Sequence, residues 1–309
     1  MMDYLARKLF APLGMESIRS NVSPDGTPCG GWGMFASTRD NAKFGQLYLN
    51  GGELFGHRLL SKDWVRMATS RQADSSVMGW GQDAAGYGFQ FWRCCIPGVY
   101  RADGMLGQLT VVDPERDFVL SIHAGSYSYI LQTVWDVLLP AFGKEELPHD
   151  AAALAALRER CDRLSLKCPE GGLDAESDRK LAGEWKVEGD AFGMKRVRLE
   201  AQPGGWLFAY EDGLGWHELA AGCGEWRRGE LRLYKEDDVD FISVLPGLHP
   251  AAAAAAWKDG VFALRAYAVD APLRLDFKFV PKADGTVALA NERIQPDVAK
   301  KTATLRRVR

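Results

Sequence analysis

The feature that most constrains the fold is a strict alternation of apolar and charged residues near the C-terminal end. Every second position from 273 to 279 is apolar, and the positions between are charged. This period of two is typical of a β-strand with one buried face. The same period returns at 262–268 and 206–210, and turn signals recur at 203–205, 211–213, 258–260 and 283–285. We therefore predict a small antiparallel β-barrel or sandwich over residues 173–309.

Two points within this C-terminal part stay open. The alanine run at 251–256 would favour a helix in isolation, but its position just before a hairpin favours a strand equally. A small barrel could be filled by its own side chains or could hold an apolar ligand, and the size favours filling. The basic tail at 300–309 is expected to be a last strand.

Residues 1–148 mix helical and strand patterns, which predicts an α+β domain. Helical spacing or caps occur at residues 1–10, after Ser37 or Thr38, after Ser61, and over 129–142. Strands are predicted over 86–92, 109–112 and 118–122, with 113–117 as a hairpin turn. An alanine-rich segment and then Pro169 and two glycines predict a helical linker over 149–172.

Composition excludes several function classes. The 309 residues carry a net charge of -3, whereas a diffuse nucleic-acid binder shows a basic excess. No apolar run reaches the roughly 20 residues of a membrane-spanning helix, and no secretory signal precedes residue 10, so a cytoplasmic location is expected for the chain as given. The six cysteines form no C-x-x-C pair, which favours free thiols in a reducing compartment. We predict neither a metal nor an organic cofactor.

Most catalytic motifs are missing. The segment 123–126 approaches a nucleophile elbow but lacks the G-x-S-x-G pattern, and the five histidines are scattered. The stretch 100–115 stands out, because a strand leads into glycine-spaced residues and then into a hairpin. Glycines at such a point allow a substrate or another backbone to come close.

With these segments the chain resembles the β-lactamase-like serine hydrolases, which include class C β-lactamases, penicillin-binding-protein-like carboxypeptidases and esterases. The resemblance covers residues 1 to about 143 and is carried by the segments 30–40, 44–52, 86–92 and 107–115 in that order. It implies that 1–148 is the C-terminal portion of such a domain, that 149–172 is a linker, and that 173–309 is the small β domain that follows many bacterial members.

The resemblance also implies where substrate would bind. Members use a Lys/His-Thr/Ser-Gly triplet on an edge strand for substrate and oxyanion. Aligned by the hairpin, this triplet falls on Ala102-Asp103-Gly104, where only the glycine matches. Asp103, Gly104 and Met105 would form the oxyanion strand, with the Met105 backbone N–H as donor and Arg101 as a candidate substrate-side cation. The missing first cation argues against ordinary β-lactam recognition and leaves small amides, esters or peptides as substrates.

The family nucleophile is a serine in Ser-x-x-Lys, and the chain has one such motif, Ser177 to Lys180, beyond the linker. We interpret Ser177 as a helix cap. Tyr48-Leu49-Asn50 and Lys301-Thr302-Ala303 also match family motifs in part, but the first ends a predicted helix and the second lacks the glycine.

The chain as given is therefore expected to be inactive, with no catalytic residue of its own. Its first helix would lie inside a domain, and exposed apolar surface would favour self-association. Two alternatives stay open: a non-catalytic binding or regulatory relative, or a ligand-binding C-terminal barrel.

Overall fold

A computed structural model describes residues 1–23, 25–78, 85–126, 130–143, 147–189, 191, 193–232, 248–293 and 300–308. The chain divides into two compact units, Met1–Lys144 and Glu145–Arg309. None of the helices in these ranges is long and apolar enough to cross a membrane.

Helices in the first unit begin where the sequence places capping residues. Ser37 accepts a hydrogen bond from the Asp40 backbone N–H, and Ser61 accepts one from Trp64, as helix N-caps do. Thr38, the other candidate cap, is the first helical residue. The helices are α1 (Met2–Leu5, continued by a π-helical turn Ala6–Phe10), α2 (Thr38–Leu49), α3 (Lys62–Thr69) and α4 (Ile130–Thr133, continued by a π-helical turn Val134–Leu138 and a 3-10 turn Leu139–Ala141).

The main sheet of this unit has four antiparallel strands in sequential order. They are β5 (Trp92–Arg93), β6 (Tyr100–Gly104), β7 (Gln108–Asp113) and β8 (Phe118–Ile122). Two small pairs accompany it, β1 (Arg19–Ser20) with β2 (Met34–Phe35) and β3 (Glu53–Leu54) with β4 (His57–Arg58). The predicted hairpin around residues 113–117 is confirmed.

Helices cover both faces of the sheet. Tyr48 of α2 packs with Tyr100 and Val112 on one face, and Leu131 of α4 packs with Val111 on the other. Since successive strand residues point to opposite faces, β7 contributes to both layers, with Val112 on one face and Val111 on the other. The strand predicted over 86–92 is wrong except at Trp92. Positive φ angles at Gly86 and Gln90 turn the chain out of an extended path.

Among the residues that the structure describes, the second unit has two helices and ten strands. The helices are α5 (Ala151–Asp162) and α6 (Ala175–Leu181). The strands are β9 (Gly183–Gly189), β10 (Arg196–Gln202), β11 (Gly205–Asp212), β12 (Gly215–Gly222), β13 (Arg227–Arg232), β14 (Leu248–Lys258), β15 (Val261–Ala268), β16 (Arg274–Pro281), β17 (Val287–Arg293) and β18 (Lys301–Arg307). The alanine run is thus a strand, within β14.

The ten strands close into a barrel. Their order is β12-β11-β10-β9-β18-β17-β16-β15-β14-β13, and an additional parallel contact at Gly222 and Ala254 joins β12 to β14. This closure decides between the predicted barrel and sandwich. Aromatic side chains meet in the interior, with ring centroids 5.0 Å apart for Phe208 and Phe277 and 4.7 Å apart for Trp206 and Phe262. These contacts favour an interior filled by side chains.

Candidate active site

The predicted substrate strand is β6, and its last residue pairs with the start of β7. Gly104 pairs with Gln108, so Met105, Leu106 and Gly107 form a tight three-residue loop. Leu106 and Gly107 both have positive φ, 67° and 83°, which costs a leucine more than a glycine. The loop therefore holds a local conformation that its surroundings must stabilise.

Three contacts fix this loop. The Ser126 backbone N–H donates to Leu106 O at 3.0 Å, and Gln108 Nε2 donates to Met105 O at 3.0 Å. A Cβ on Gly107 would be strained by the positive φ of 83° and would lie 2.6 Å from Ile130 Cδ1, so glycine is favoured there. Met105 is 49% exposed, and no acceptor for its backbone N–H is found within the described ranges. Met105 is thus an exposed residue in a loop that these two hydrogen bonds hold in place.

Arg101 was predicted to be a cation on the substrate side, but in the structure it does not face solvent. It is 1% exposed, and its Nε donates to Asp103 Oδ2 at 2.7 Å. Its guanidinium also lies 5.9 Å from the Trp92 ring and 3.5 Å from Cys94 Sγ. A buried guanidinium needs a paired carboxylate, and Asp103 supplies one at the sheet surface. The structure therefore makes Arg101 and Asp103 a pair next to the loop.

Nearby ionisable groups are held neutral. Burial, with smaller effects from Cys95, Asp103 and Asp113 against that of Arg93, raises the pKa of Cys94 to about 12. Burial also raises the pKa of Tyr100. The Cys94 thiol is thus protonated at neutral pH, and a protonated thiol is a poor nucleophile.

The isolated Ser-x-x-Lys motif serves a helix. Asp174 caps α6, since its carboxylate accepts from the backbone N–H groups of Glu176 and Ser177. The prediction that Ser177 is the cap is wrong in this detail. Ser177 Oγ donates to Asp174 Oδ2 at 2.9 Å, and Lys180 Nζ pairs with Glu176 Oε1 at 2.7 Å.

The other two partial motifs also have structural roles. Tyr48 is buried near the end of α2, and Asn50 is its C-cap, as the sequence predicted. Lys301 to Ala303 begins barrel strand β18.

A polar cluster at the start of α2 was missed from the sequence. Asp40 is buried and accepts from Ser17 Oγ at 2.5 Å, from the Ser17 backbone N–H at 2.9 Å, and from Lys43 Nζ at 3.0 Å. Burial alone would raise the pKa of Asp40, but these hydrogen bonds and the Lys43 charge lower it to about 2. The only sequence signal is an acidic residue in the first turn of a helix.

His123 lies beyond the end of β8. Its Nε2 is 2.8 Å from Asn41 Nδ2, and partial desolvation by its neighbours lowers the pKa of His123. A neutral ring accepts a hydrogen bond at one nitrogen. The geometry thus pairs His123 with an amide rather than with a serine.

No group of three or more His, Cys, Asp or Glu side chains in the described ranges is arranged to hold a metal ion. All six cysteines are unbridged.

The first unit is similar in sequence to a known protein family. Residues 1–127 match the family model described as Beta-lactamase. The chain therefore carries a β-lactamase-family domain over residues 1–127, and a β-barrel follows it.

No curated protein matches the chain. Among solved structures, Echinococcus granulosus fatty-acid-binding protein 1 is similar at 14% sequence identity and a TM-score of 0.31, covering 42% of this chain and 99% of that chain.

Proposed function

We propose that the first unit belongs to a serine hydrolase that cleaves a small amide, ester or peptide by acyl transfer, and that this chain contributes the substrate side of its site. The observation that carries the proposal is the β6–β7 loop beside Gly104, in which Met105 is 49% exposed and its backbone N–H has no backbone acceptor among the described residues. Such N–H groups stabilise the oxyanion of acyl transfer. The family match over residues 1–127 supports this chemistry.

The nucleophile would come from polypeptide other than these 309 residues. Ser177 is the one serine in a Ser-x-x-Lys motif, and its hydroxyl donates to the cap carboxylate of Asp174. Lys180 is engaged with Glu176, so neither side chain is arranged to activate the other. An activated serine needs a base within hydrogen-bond reach.

The buried Arg101 bears on the substrate. Its guanidinium is paired with Asp103, which puts a carboxylate directly beside Ala102, the position that aligns with the first, cationic residue of the family's triplet. We therefore propose a substrate without a free carboxylate at this position, and an ester or an uncharged amide fits best.

The test is hydrolysis of p-nitrophenyl butyrate together with labelling by a fluorophosphonate probe. We expect neither for this chain. We expect both for a longer protein translated from an in-frame upstream sequence that encodes Ser-x-x-Lys and Tyr-x-Asn. In that longer protein Ser177→Ala should leave the rate unchanged. Hydrolysis by the present chain that is abolished in Ser177→Ala would overturn the assignment, and so would an upstream sequence without these motifs.

A further inference from the structure

Helix α5 differs from the other described helices because it buries none of its residues. All 12 residues from Ala151 to Asp162 are exposed. By contrast α2, α3, α4 and α6 each bury at least one residue, and α1 does so through Phe10 in its π-helical continuation. A helix this short is marginally stable in water and gains most of its stability from packing of an apolar face. The packing partner of α5 is therefore not found among the described residues of its own chain.

One face of α5 has the spacing of a coiled-coil seam. Leu154, Leu157, Cys161 and Leu164 follow one another at intervals of three, four and three residues, which are the a, d, a and d positions of a heptad repeat. The three leucines are 44%, 58% and 74% exposed, and Cys161 is exposed as well. Leu164 follows the C-cap Arg163, which keeps a helical backbone. The exposed row thus fits a second helix that carries the same repeat.

The contacts that fix the two ends of α5 do not involve this row. At the N-terminal end, the Asp150 carboxylate accepts a hydrogen bond from the Ala153 backbone N–H at 2.9 Å. Beyond the C-terminal end, the indole N–H of Trp226 donates to Leu166 O at 2.7 Å. The helix is thus capped at one end and attached to the barrel after the other, and neither contact uses the leucines of the seam.

The charged residues beside the seam distinguish between the two ways in which a pair of these helices could align. Arg158 occupies an e position and Arg160 a g position, and the e and g residues set the orientation of a coiled coil. A parallel pair places g against e, so that Arg160 meets Ser165 and Arg158 meets Ala153. An antiparallel pair places e against e, so that each Arg158 meets the Arg158 of the other copy. Like charges repel, and the parallel arrangement is favoured.

We propose that α5 is a dimer interface, through which two copies of this chain associate as a short parallel coiled coil along the row from Leu154 to Leu164. The 12 residues of α5 give a helix about 18 Å long. The contact is therefore small, and small interfaces form weak and transient complexes. This inference is independent of the proposed hydrolase function, because it uses only the second unit.

The first test follows the mass of the full chain by sedimentation velocity as its concentration is raised. We expect monomer at about 5 µM and a dimer fraction at least tenfold higher at about 300 µM, as a small interface implies. Leu157→Glu puts a charge into the seam and should lower the dimer fraction at least tenfold, because a buried unpaired charge is costly.

Ala155→Glu is the matched control for Leu157→Glu. It adds the same charge to the same helix, but two residues away and so on nearly the opposite face, and it should leave the dimer fraction nearly unchanged. Circular dichroism would confirm that both variants keep the helix content of the unaltered chain. Equal dimer fractions in the two variants, or a chain that stays monomeric at the higher concentration, would overturn the proposal.

Cys161 reports the orientation of the pair. A parallel pair aligns Cys161 with the Cys161 of the other copy, whereas an antiparallel pair aligns it with Leu157. We expect a short bismaleimide to join two copies of the Cys161 peptide, detected by mass spectrometry, and Leu157→Glu to prevent this cross-link. Cys95 is also exposed but lies in the first unit, so it serves as the internal control. Equal cross-linking of Cys95, or a dimer without the Cys161 cross-link, would overturn the parallel coiled coil.

Discussion

Gly45 of α2 lies so close to Thr110 of β7 that a Cβ on Gly45 would be 2.7 Å from Thr110 Cγ2. The same atom would lie 2.8 Å from Val119 Cγ1 of β8. Non-bonded carbon atoms do not approach each other this closely. Helix α2 can therefore pack at this distance from the sheet only because residue 45 has no side chain. This approach brings Tyr48 into the aromatic cluster that covers β6.

Gly45→Ala should destabilise the first unit by about 1–3 kcal/mol, the usual cost of overpacking. Alanine is the better helix former by about 1 kcal/mol. A decrease in the free energy of unfolding would therefore have to come from the steric clash. The measurement is urea unfolding, read by amide exchange in β7 and β8. Gly30→Ala is the matched control, because a Cβ there meets no atom within 4 Å, and it should change little. A gain in stability for Gly45→Ala would show that α2 can move away from the sheet.

Asp40 should make the first unit sensitive to acid. Its pKa in the folded chain is about 2, against an ordinary 3.8, so the unfolded chain binds the proton more tightly. The stabilisation is fully present above about pH 4 and is lost as the pH falls toward 2, by roughly 2 kcal/mol in all. Asp40→Asn should remove this dependence between pH 4 and pH 2. Unfolding free energies at several pH values would check it, with Asp63→Asn on an exposed face as the control. An unchanged pH profile in Asp40→Asn would contradict it.

When one charge of the Arg101–Asp103 pair has been removed, removal of the second charge should restore part of the lost stability. Asp103→Asn takes away the partly exposed carboxylate that faces a guanidinium 1% exposed, and loss of a hydrogen bond between charged groups typically costs about 2–3 kcal/mol. Arg101→Met together with Asp103→Asn should recover about 2 kcal/mol of that loss. The comparison pair is Arg58 and Glu53, which is exposed and should contribute under about 1 kcal/mol. Additive losses at Arg101 and Asp103 would rule out their coupling.

The Met105 backbone N–H is testable in a hydrolytically active longer protein. Met105→Pro removes this N–H, and loss of one oxyanion donor typically lowers kcat by about 100- to 1000-fold. Met105→Ala keeps the N–H and should stay within a few-fold, which makes it the matched control. KM should change less than kcat in the proline variant. Equal kcat values in the two variants would remove Met105 from the oxyanion site.

Local signals in the sequence predicted the elements that depend on nearby residues. The caps at Ser37 and Ser61 need only a side chain and a backbone N–H three residues later, and the hairpin before β8 needs only the four-residue turn between Asp113 and Phe118. The strand predicted over 86–92 failed because left-handed residues at Gly86 and Gln90 are not visible in an apolar pattern.

Long-range contacts could not be predicted from the sequence. The distinction between barrel and sandwich depends on Gly222 meeting Ala254, two residues far apart in the chain. The burial of Arg101 depends on which face of β6 meets Cys94 and Trp92. The Asp40 cluster depends on Ser17, from 23 residues upstream. In each case the deciding partner is supplied by tertiary structure.

Because β9 pairs with β18, the barrel can close only after both strands have been synthesised. Trp185 lies opposite Arg307, and Gly189 lies opposite Ala303, so the first strand of the barrel waits for the last. Pairing across so many residues carries a large loop-closure entropy and folds slowly. The barrel therefore closes only after β18 has left the ribosome, and its alanine-rich and aromatic strands need protection from aggregation until then.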